Sequence, residues 1–171
     1  MRSTLFHRLL NSAATALLLV MAVSAHALEP AQGKVILTID GKIGVKNTAS
    51  SAQFDLAMLE KLPQREFSTM TPWDTKPVKF TGPLLRDLLA LVKANGRTLK
   101  AKALNDYQTS IPVADATDQD VILAHRMNGE PIPVKTKGPL FIVYPYDSKK
   151  ELQSTVYYER SAWQLKSMTV D

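Results

Sequence analysis

The chain has 171 residues, no cysteine and a formal net charge of +5, from 21 basic and 16 acidic side chains. The lack of cysteine excludes disulfides, thiol catalysis, iron–sulfur clusters and cysteine-ligated zinc. The basic residues are spread along the sequence, so we predict no concentrated phosphate-binding face and expect no nucleic-acid partner.

The first 27 residues are typical of a cleavable secretory signal peptide. Arg2 and Arg8 supply a positive start, residues 9–23 are largely apolar, and Ala25-His26-Ala27 provides the small-x-small pattern that signal peptidase accepts. The alternative is a retained membrane anchor, but spanning a bilayer takes about 20 apolar residues and this stretch is shorter. We therefore predict that cleavage after Ala27 leaves residues 28–171 as one exported domain that does not span a membrane.

The first part of this domain mixes strand and helix signals. Residues 34–40 and 42–46 are β-rich and are joined by Asp40-Gly41, which predicts a tight hairpin because glycine accepts a positive φ. Residues 54–62 carry leucines at three-residue spacing behind a capping aspartate, Asp55, which predicts a short helix ended by Pro63. Residues 64–70 and 78–80 are predicted to be extended.

The clearest helix is predicted to begin at Pro83, to bury a stripe of leucines and to end at Asn95-Gly96. Strands are predicted next, with Asn128-Gly129 as a second hairpin signal and with residues 115–120 as an acidic loop or helical turn. The predicted strands cover residues 98–104, 110–113, 121–127, 132–134, 140–144 and about 162–170. Strands thus outnumber the two predicted helices, which indicates an α+β domain with a mixed β-sheet and a few short helices.

Histidine chemistry is almost absent from the exported segment. His7 and His26 lie in the predicted signal peptide, so His125 alone remains and a multi-histidine metal site is excluded within one chain. His125 follows an apolar run, and no nucleophile elbow accompanies it, so we predict a structural role for this side chain.

Several short motifs follow one another in a specific order. They are Trp73, residues 80–89 (FTGPLLRDLL), residues 105–107 (NDY) leading to Ile111-Pro112, residues 122–124 (ILA), residues 127–133 (MNGEPIP) and residues 138–145 (GPLFIVYP). In this order and spacing they resemble the oxidoreductase molybdopterin-binding domain family, which has the sulfite-oxidase fold. The resemblance covers roughly residues 65–170, and each motif alone would be weak.

One position departs from the family pattern. Enzymes of the family hold molybdenum through a cysteine four residues before a tryptophan, and counting back from Trp73 that position is Thr69. A neutral hydroxyl is a poor replacement for a soft thiolate on a transition metal. The resemblance therefore implies a pocket for a metal-free pterin, while molybdenum is not expected and no catalytic residue is assigned.

A pterin is a flat bicycle that needs an aromatic face to stack on and a few side chains for its polar edge. Asp106 is predicted to accept two hydrogen bonds from the amino-pyrimidinone edge, and Arg126 to hold a carbonyl or phosphate group. The candidate binding residues at the family's site-forming positions are Thr69, Trp73, Asn105, Asp106, Tyr107, Arg126, Tyr144 and Tyr146.

Structural alternatives stay open for most of these residues. Trp73 could be a core aromatic, residues 105–107 could be only a turn, Tyr144 could pack inside the protein, and Arg126 could be solvated. Trp163 is predicted to belong to the core.

The cysteine-less periplasmic branch of the family implies a function. That branch consists of non-catalytic pterin-binding proteins paired with membrane-bound proteins that make or degrade cyclic di-GMP. The expected partner is then the periplasmic domain of a diguanylate cyclase or phosphodiesterase. The alternatives are a molybdopterin-dependent oxidoreductase with atypical, non-cysteine metal ligation, and a scaffold that has lost the pocket.

Overall fold

Short strands and helices alternate along residues 28–171, which are the residues that the computed structural model describes. The predicted signal peptide, residues 1–27, lies outside them. No helix in this described part is both long and apolar enough to cross a membrane. The elements are β1 (Leu37–Gly41), β2 (Ala52–Phe54), α1 (Leu56–Glu60), β3 (Gln64–Thr69), β4 (Val78–Pro83), α2 (Leu85–Leu91), β5 (Thr98–Ala103), β6 (Gln108–Pro112), α3 (Val113–Asp118), β7 (Ile122–Ala124), β8 (Arg126–Met127), β9 (Glu130–Pro131), β10 (Phe141–Val143), 3₁₀ turns at Tyr146–Ser148 and Lys150–Leu152, α4 (Thr155–Arg160) and β11 (Leu165–Val170).

The largest sheet has five strands in the order β2-β1-β11-β5-β6. β1 runs parallel to β11, with Thr38 opposite Ser167, and the other neighbours are antiparallel. Leu37 and Ile39 of β1 are fully buried at alternate positions, as expected for a strand with one face on the core. The first and last strands of the described region are therefore neighbours inside one sheet.

Two smaller sheets complete the domain. One has the order β3-β4-β8-β9, and the other pairs β10 with β7. Every residue of β7 and β10 is buried, which explains why both are unbroken apolar runs in the sequence. The predicted turn at Asn128-Gly129 is confirmed, with φ values of 52° and 88°, and it joins β8 to β9.

The predicted hairpin at Asp40-Gly41 is wrong. Gly41 does have a positive φ of 82°, but the chain after it forms no strand against β1, because β1 is already paired with β2 and β11. Lys42 N instead donates to the Val170 carbonyl at 2.8 Å, and Ile43 forms an isolated bridge with Ala94.

The first predicted helix is confirmed, although α1 is shorter than the expected 54–62. Asp55 caps it by accepting a hydrogen bond from Met58 N at 2.9 Å. The same carboxylate accepts from Gly33 N at 2.7 Å. These backbone donors, Gly33 first, hold the pKa of Asp55 below its usual value.

The second predicted helix starts later than expected. Pro83 ends β4, where it pairs with Gln64, and α2 begins at Leu85. Its buried face carries Leu85, Leu88 and Leu89, as the periodicity predicted. Residues 113–118 form a true helix, α3, and α4 was not predicted at all.

Candidate functional site

A cavity of about 320 Å³ lies where three segments meet: the loop after β3, the β5–β6 turn, and the end of α4 with the loop behind it. Its walls are mostly aromatic, and three polar residues open into it. We call it the aromatic cavity. The aromatic walls are Trp73, Tyr107, Tyr158 and Trp163, and the polar residues are Asn105, Glu159 and Ser161.

Trp73 sits on a tight turn after β3. Thr71 Oγ1 accepts a hydrogen bond from Trp73 N at 3.2 Å and donates to Asp74 Oδ2 at 2.6 Å. The Trp73 ring centroid is 5.3 Å from that of Trp163. With 39% of its surface exposed, Trp73 is not a core aromatic. One indole therefore supports the other at the wall of the cavity.

Lys137 fixes this pair of indoles. Its ammonium lies 5.7 Å from the Trp73 ring centroid and 5.9 Å from that of Trp163, within cation–π range. Asp74 Oδ2 holds the same ammonium at 2.8 Å. Burial would raise the pKa of Asp74, but the hydrogen bonds from Lys137 and Thr71 outweigh it and keep that pKa below its usual value. Asp74 is thus a carboxylate that anchors the cation against both rings.

The β5–β6 turn forms another wall of the aromatic cavity. Asn105 Oδ1 accepts from Tyr107 N at 3.1 Å, and Asp106 between them has a φ of 65°. The Tyr107 hydroxyl donates to the Glu159 carbonyl at 2.8 Å. This hydrogen bond joins residues 52 positions apart and sets the distance between the turn and α4.

Buried phenols lie behind the cavity. Ser161 Oγ donates to the Tyr157 carbonyl at 2.6 Å, so the Tyr146 hydroxyl, also 2.6 Å away, donates to Ser161. Tyr144 donates to Asp115 Oδ2 at 2.7 Å. Burial raises the pKa of Tyr146, and burial with the Asp115 hydrogen bond raises that of Tyr144. Both phenols therefore stay protonated at neutral pH.

The aromatic cavity brings together three predicted binding residues, Trp73, Asn105 and Tyr107. The residues that line it do not include Asp106 or Arg126. The Asp106 side chain is 77% exposed and pairs with Lys102 at 3.0 Å, which lowers the pKa of Asp106. Arg126 lies on β8 and pairs with Glu60 at 3.0 Å. Tyr144 and Tyr146 are likewise outside the lining, with their hydroxyls bonded within the protein.

Thr69 belongs to a different cavity, of about 530 Å³, which we call the charged groove. Thr69 is fully buried there. Its Oγ1 accepts from Asp147 N at 3.1 Å and donates to the Met70 carbonyl at 3.4 Å. The lining residues are Arg65, Phe67, Ser68, Thr69, Asp118, Gln119, Asp120, Pro145, Asp147, Ser148 and Lys149.

The charged groove offers little to a flat ring. Phe67 is the one aromatic residue in its lining. Its cations are already engaged, since Arg65 pairs with Asp120 at 3.5 Å and Lys149 donates to Gln119 at 2.7 Å. The aromatic cavity is therefore the better candidate site.

Sequence reasoning missed the α4 side of the aromatic cavity and the lysine beside it. Tyr158, Glu159 and Ser161 were hidden because α4 was not predicted, and Trp163 was predicted to be core. The signal that could have found Lys137 is the family motif that follows it at Gly138-Pro139, but no local pattern places a lysine beside two distant indoles.

Two comparisons with known proteins agree with this architecture. Residues 36–148 match the model of the oxidoreductase molybdopterin binding domain. Because this match covers more than half of the chain, the protein belongs to that family. Trp73, Asn105 and Tyr107 lie inside the matched range, whereas Tyr158, Glu159 and Trp163 lie beyond it.

Among solved structures, the fold is similar to the sulfane dehydrogenase SoxCD from Paracoccus pantotrophus, with a TM-score of 0.62 and 18% sequence identity. The similarity covers 84% of this chain but 40% of that one. It supports the predicted α+β, sulfite-oxidase-like fold. No curated protein matches the sequence.

The donor set does not fit the molybdenum of the family's enzymes. The sequence holds no thiolate, and the hydroxyl at the metal-ligating position, Thr69, is buried and hydrogen-bonded to Asp147 N and to the Met70 carbonyl. Within residues 28–171, no cluster of three or more histidine, aspartate or glutamate side chains is placed to hold a metal ion.

Proposed function

We propose that this protein is a non-catalytic module that binds a metal-free pterin in the aromatic cavity. The observation that carries the proposal is the pair of indoles, Trp73 and Trp163, at the wall of a small cavity in a chain of the molybdopterin-binding family. The hydroxyl of Thr69 at the family's metal position argues against redox chemistry at molybdenum.

The size of the cavity suits a single flat ring. Small-molecule sites span about 300–1,000 Å³, and a cavity of about 320 Å³ lies at the lower end of that range. Stacking on an aromatic side chain contributes about 1–3 kcal/mol per nucleobase, and a pterin has a comparable π-face. Because Lys137 and Asp74 already hold the indoles in place, little ordering of the wall is needed on binding.

The proposal is tested on the protein purified from a pterin-producing bacterial host after expression of the full-length chain. The protein is denatured, and the released pterin is measured by fluorescence and the metal by mass spectrometry. We expect close to one pterin per chain and no molybdenum. Stoichiometric molybdenum with the pterin would instead establish the alternative that family membership favours, an oxidoreductase with atypical metal ligation. Neither ligand, and no binding of added reduced pterins, would leave only a scaffold.

Substitution of the indole tests the site itself. We expect Trp73→Ala to weaken pterin binding about 5- to 100-fold, because it removes one stacking face. Trp73→Phe keeps an aromatic face and should retain most of the affinity. Phe67→Ala, in the charged groove, is the matched control and should leave binding unchanged. If Phe67→Ala abolished binding while Trp73→Ala did not, the site would be the charged groove.

We also propose that the protein acts in the periplasm and regulates a membrane-bound cyclic di-GMP enzyme. This rests on the predicted signal peptide and on the resemblance to the cysteine-less branch of the family. We expect a fusion of the chain to alkaline phosphatase to be active, as export requires. An inactive fusion would contradict a periplasmic location. A periplasmic two-hybrid assay against the sensor domain of a diguanylate cyclase or phosphodiesterase from the same host should then give a pterin-dependent signal. The lack of a signal both with and without pterin would contradict the partnership.

A further inference from the structure

The three non-aromatic polar residues of the aromatic cavity differ in which of their groups are free to meet a ligand. The Ser161 hydroxyl is used by the Tyr157 carbonyl and the Tyr146 hydroxyl. Asn105 Oδ1 is used by Tyr107 N, which leaves the Asn105 amide nitrogen as a donor. Among residues 28–171, no ion pair or hydrogen bond occupies the carboxylate of Glu159, although its backbone carbonyl is held by Tyr107.

We infer that Glu159 and Asn105 together recognise the amino-pyrimidinone edge of the ring, and that Glu159 makes the site selective for a 2-amino group. This inference deepens the proposed function and rests on it. A carboxylate accepts two parallel hydrogen bonds, and the edge of a pterin offers two donors side by side, N3–H and the 2-amino group. The neighbouring O4 is an acceptor, and the free amide of Asn105 is a donor.

In this inference Glu159, and not the predicted Asp106, accepts the hydrogen bonds from the amino-pyrimidinone edge. Asp106 is in the right turn, but its carboxylate is bound to Lys102 at 3.0 Å and its side chain is 77% exposed. Asp106 is also absent from the residues that line the aromatic cavity. Glu159 is among them, and the hydrogen bond from Tyr107 to its carbonyl fixes its backbone beside Asn105.

The chemistry of this edge predicts which rings are rejected. A lumazine has a carbonyl where a pterin has the 2-amino group, so its oxygen would face the Glu159 carboxylate with no proton between them. An acceptor opposed to this carboxylate loses the hydrogen bond and places two oxygen atoms with partial or full negative charge against each other. The site should therefore favour a pterin over the matching lumazine about 10- to 100-fold.

The test measures the affinities of a tetrahydropterin and of the corresponding tetrahydrolumazine by titration calorimetry, on the full-length expressed protein and its variants. Glu159→Gln should weaken pterin binding about 10- to 100-fold and should narrow the preference over lumazine, because the amide accepts one hydrogen bond and opposes the second donor. Asn105→Asp keeps the oxygen that accepts from Tyr107 N and removes the amide donor, so it should weaken the binding of both the pterin and the lumazine. Asp106→Asn is the matched control and should change neither affinity.

The outcomes separate the two proposals. If wild-type protein binds neither ring, the proposed function itself fails. If wild-type protein binds the pterin and Glu159→Gln binds it equally well with the same preference over lumazine, the function stands and the role of Glu159 is overturned. A loss of pterin affinity in Asp106→Asn instead would show that Asp106, in the β5–β6 turn, binds the edge of the pterin. Since Asn105, Asp106 and Glu159 are all exposed, a thermal melt is expected to show all three variants folded.

Discussion

At the scale of single residues, burial decides what a tyrosine can do. Tyr144 was a candidate for ligand binding, but it is fully buried and its hydroxyl donates to Asp115 Oδ2 at 2.7 Å. Arg160 donates to the same oxygen at 2.9 Å. The three side chains thus connect the segment after β10 with α3 and α4 behind the cavity. This arrangement gives Tyr144 a structural role that its position in an apolar strand allowed but did not require.

We expect Tyr144→Phe to lower the free energy of unfolding by about 1.5–3 kcal/mol, the contribution of a hydrogen bond to a charged group. Tyr107→Phe is the control, because its hydroxyl is at the surface and meets a neutral carbonyl. Its cost should be about 1 kcal/mol or less. Urea unfolding measures both, and equal costs would contradict the buried role of Tyr144.

His125 gives a second prediction at this scale. It is 4% exposed, and its Nε2 donates to Gln64 Oε1 at 2.9 Å. Burial lowers the pKa of His125, Arg126 lowers it further, and Glu60 only partly opposes this. In the unfolded chain His125 therefore binds a proton near pH 6.5, whereas in the folded chain it binds that proton only at a lower pH.

The unfolding free energy should consequently fall as the pH drops from 7.5 to 5.5, above the range in which carboxylates titrate. The measurement is urea unfolding at the two pH values. His125→Gln should remove this part of the pH dependence, although it is expected to be less stable at pH 7.5. If the unfolding free energy of His125→Gln fell by the same amount between pH 7.5 and 5.5, groups other than His125 would cause the pH dependence.

At the scale of elements, tertiary contacts override local preference in α4. Val156, Tyr157 and Tyr158 favour strands, yet they lie in a helix. Tyr157 packs edge-on against Tyr144 at 5.2 Å, and Tyr158 against Tyr146 at 5.3 Å. These aromatic contacts to distant residues stabilise a helix that carries no fully buried residue of its own. The helix in turn brings Glu159 to the cavity.

Two glycines with positive φ lie at connections between elements, and alanine substitutions there test how tightly the chain is packed at each connection. Gly129 has a φ of 88° and open space around it, whereas a Cβ at Gly41, with a φ of 82°, would overlap the Val170 carbonyl. Gly129→Ala should cost about 1–2 kcal/mol, the strain of the left-handed conformation. Gly41→Ala should cost about 3 kcal/mol or more, because β11 must also shift. Similar losses in urea unfolding would contradict the close approach of the two strands.

At the scale of the whole molecule, ligand binding and stability are linked. A ligand at 100 times its Kd stabilises the folded state by about 2.7 kcal/mol, which raises the Tm of a domain of this size by roughly 5–10 °C. We expect that shift when tetrahydropterin is added to the wild-type protein. Trp73→Ala should reduce it at the same ligand concentration. A wild-type Tm that does not respond to tetrahydropterin would argue against the binding function.

The sequence by itself determined the features that depend on local pattern or on composition. Leucine spacing placed α1 and α2, Asn128-Gly129 placed the β8–β9 turn, the ordered motifs identified the family, and the missing cysteine removed the metal ligand. Each of these follows from neighbouring residues or from a residue type that is absent.

Only the tertiary structure decided which side chains meet. The parallel pairing of β1 with β11, the contact of Trp73 with Trp163, and the presence of Glu159 rather than Asp106 in the lining of the aromatic cavity all depend on residues far apart in the chain. Local periodicity reports which face of an element is apolar, but not which distant element covers it. The candidate site is assembled from three such segments, so its walls could be named only in part before the fold was known.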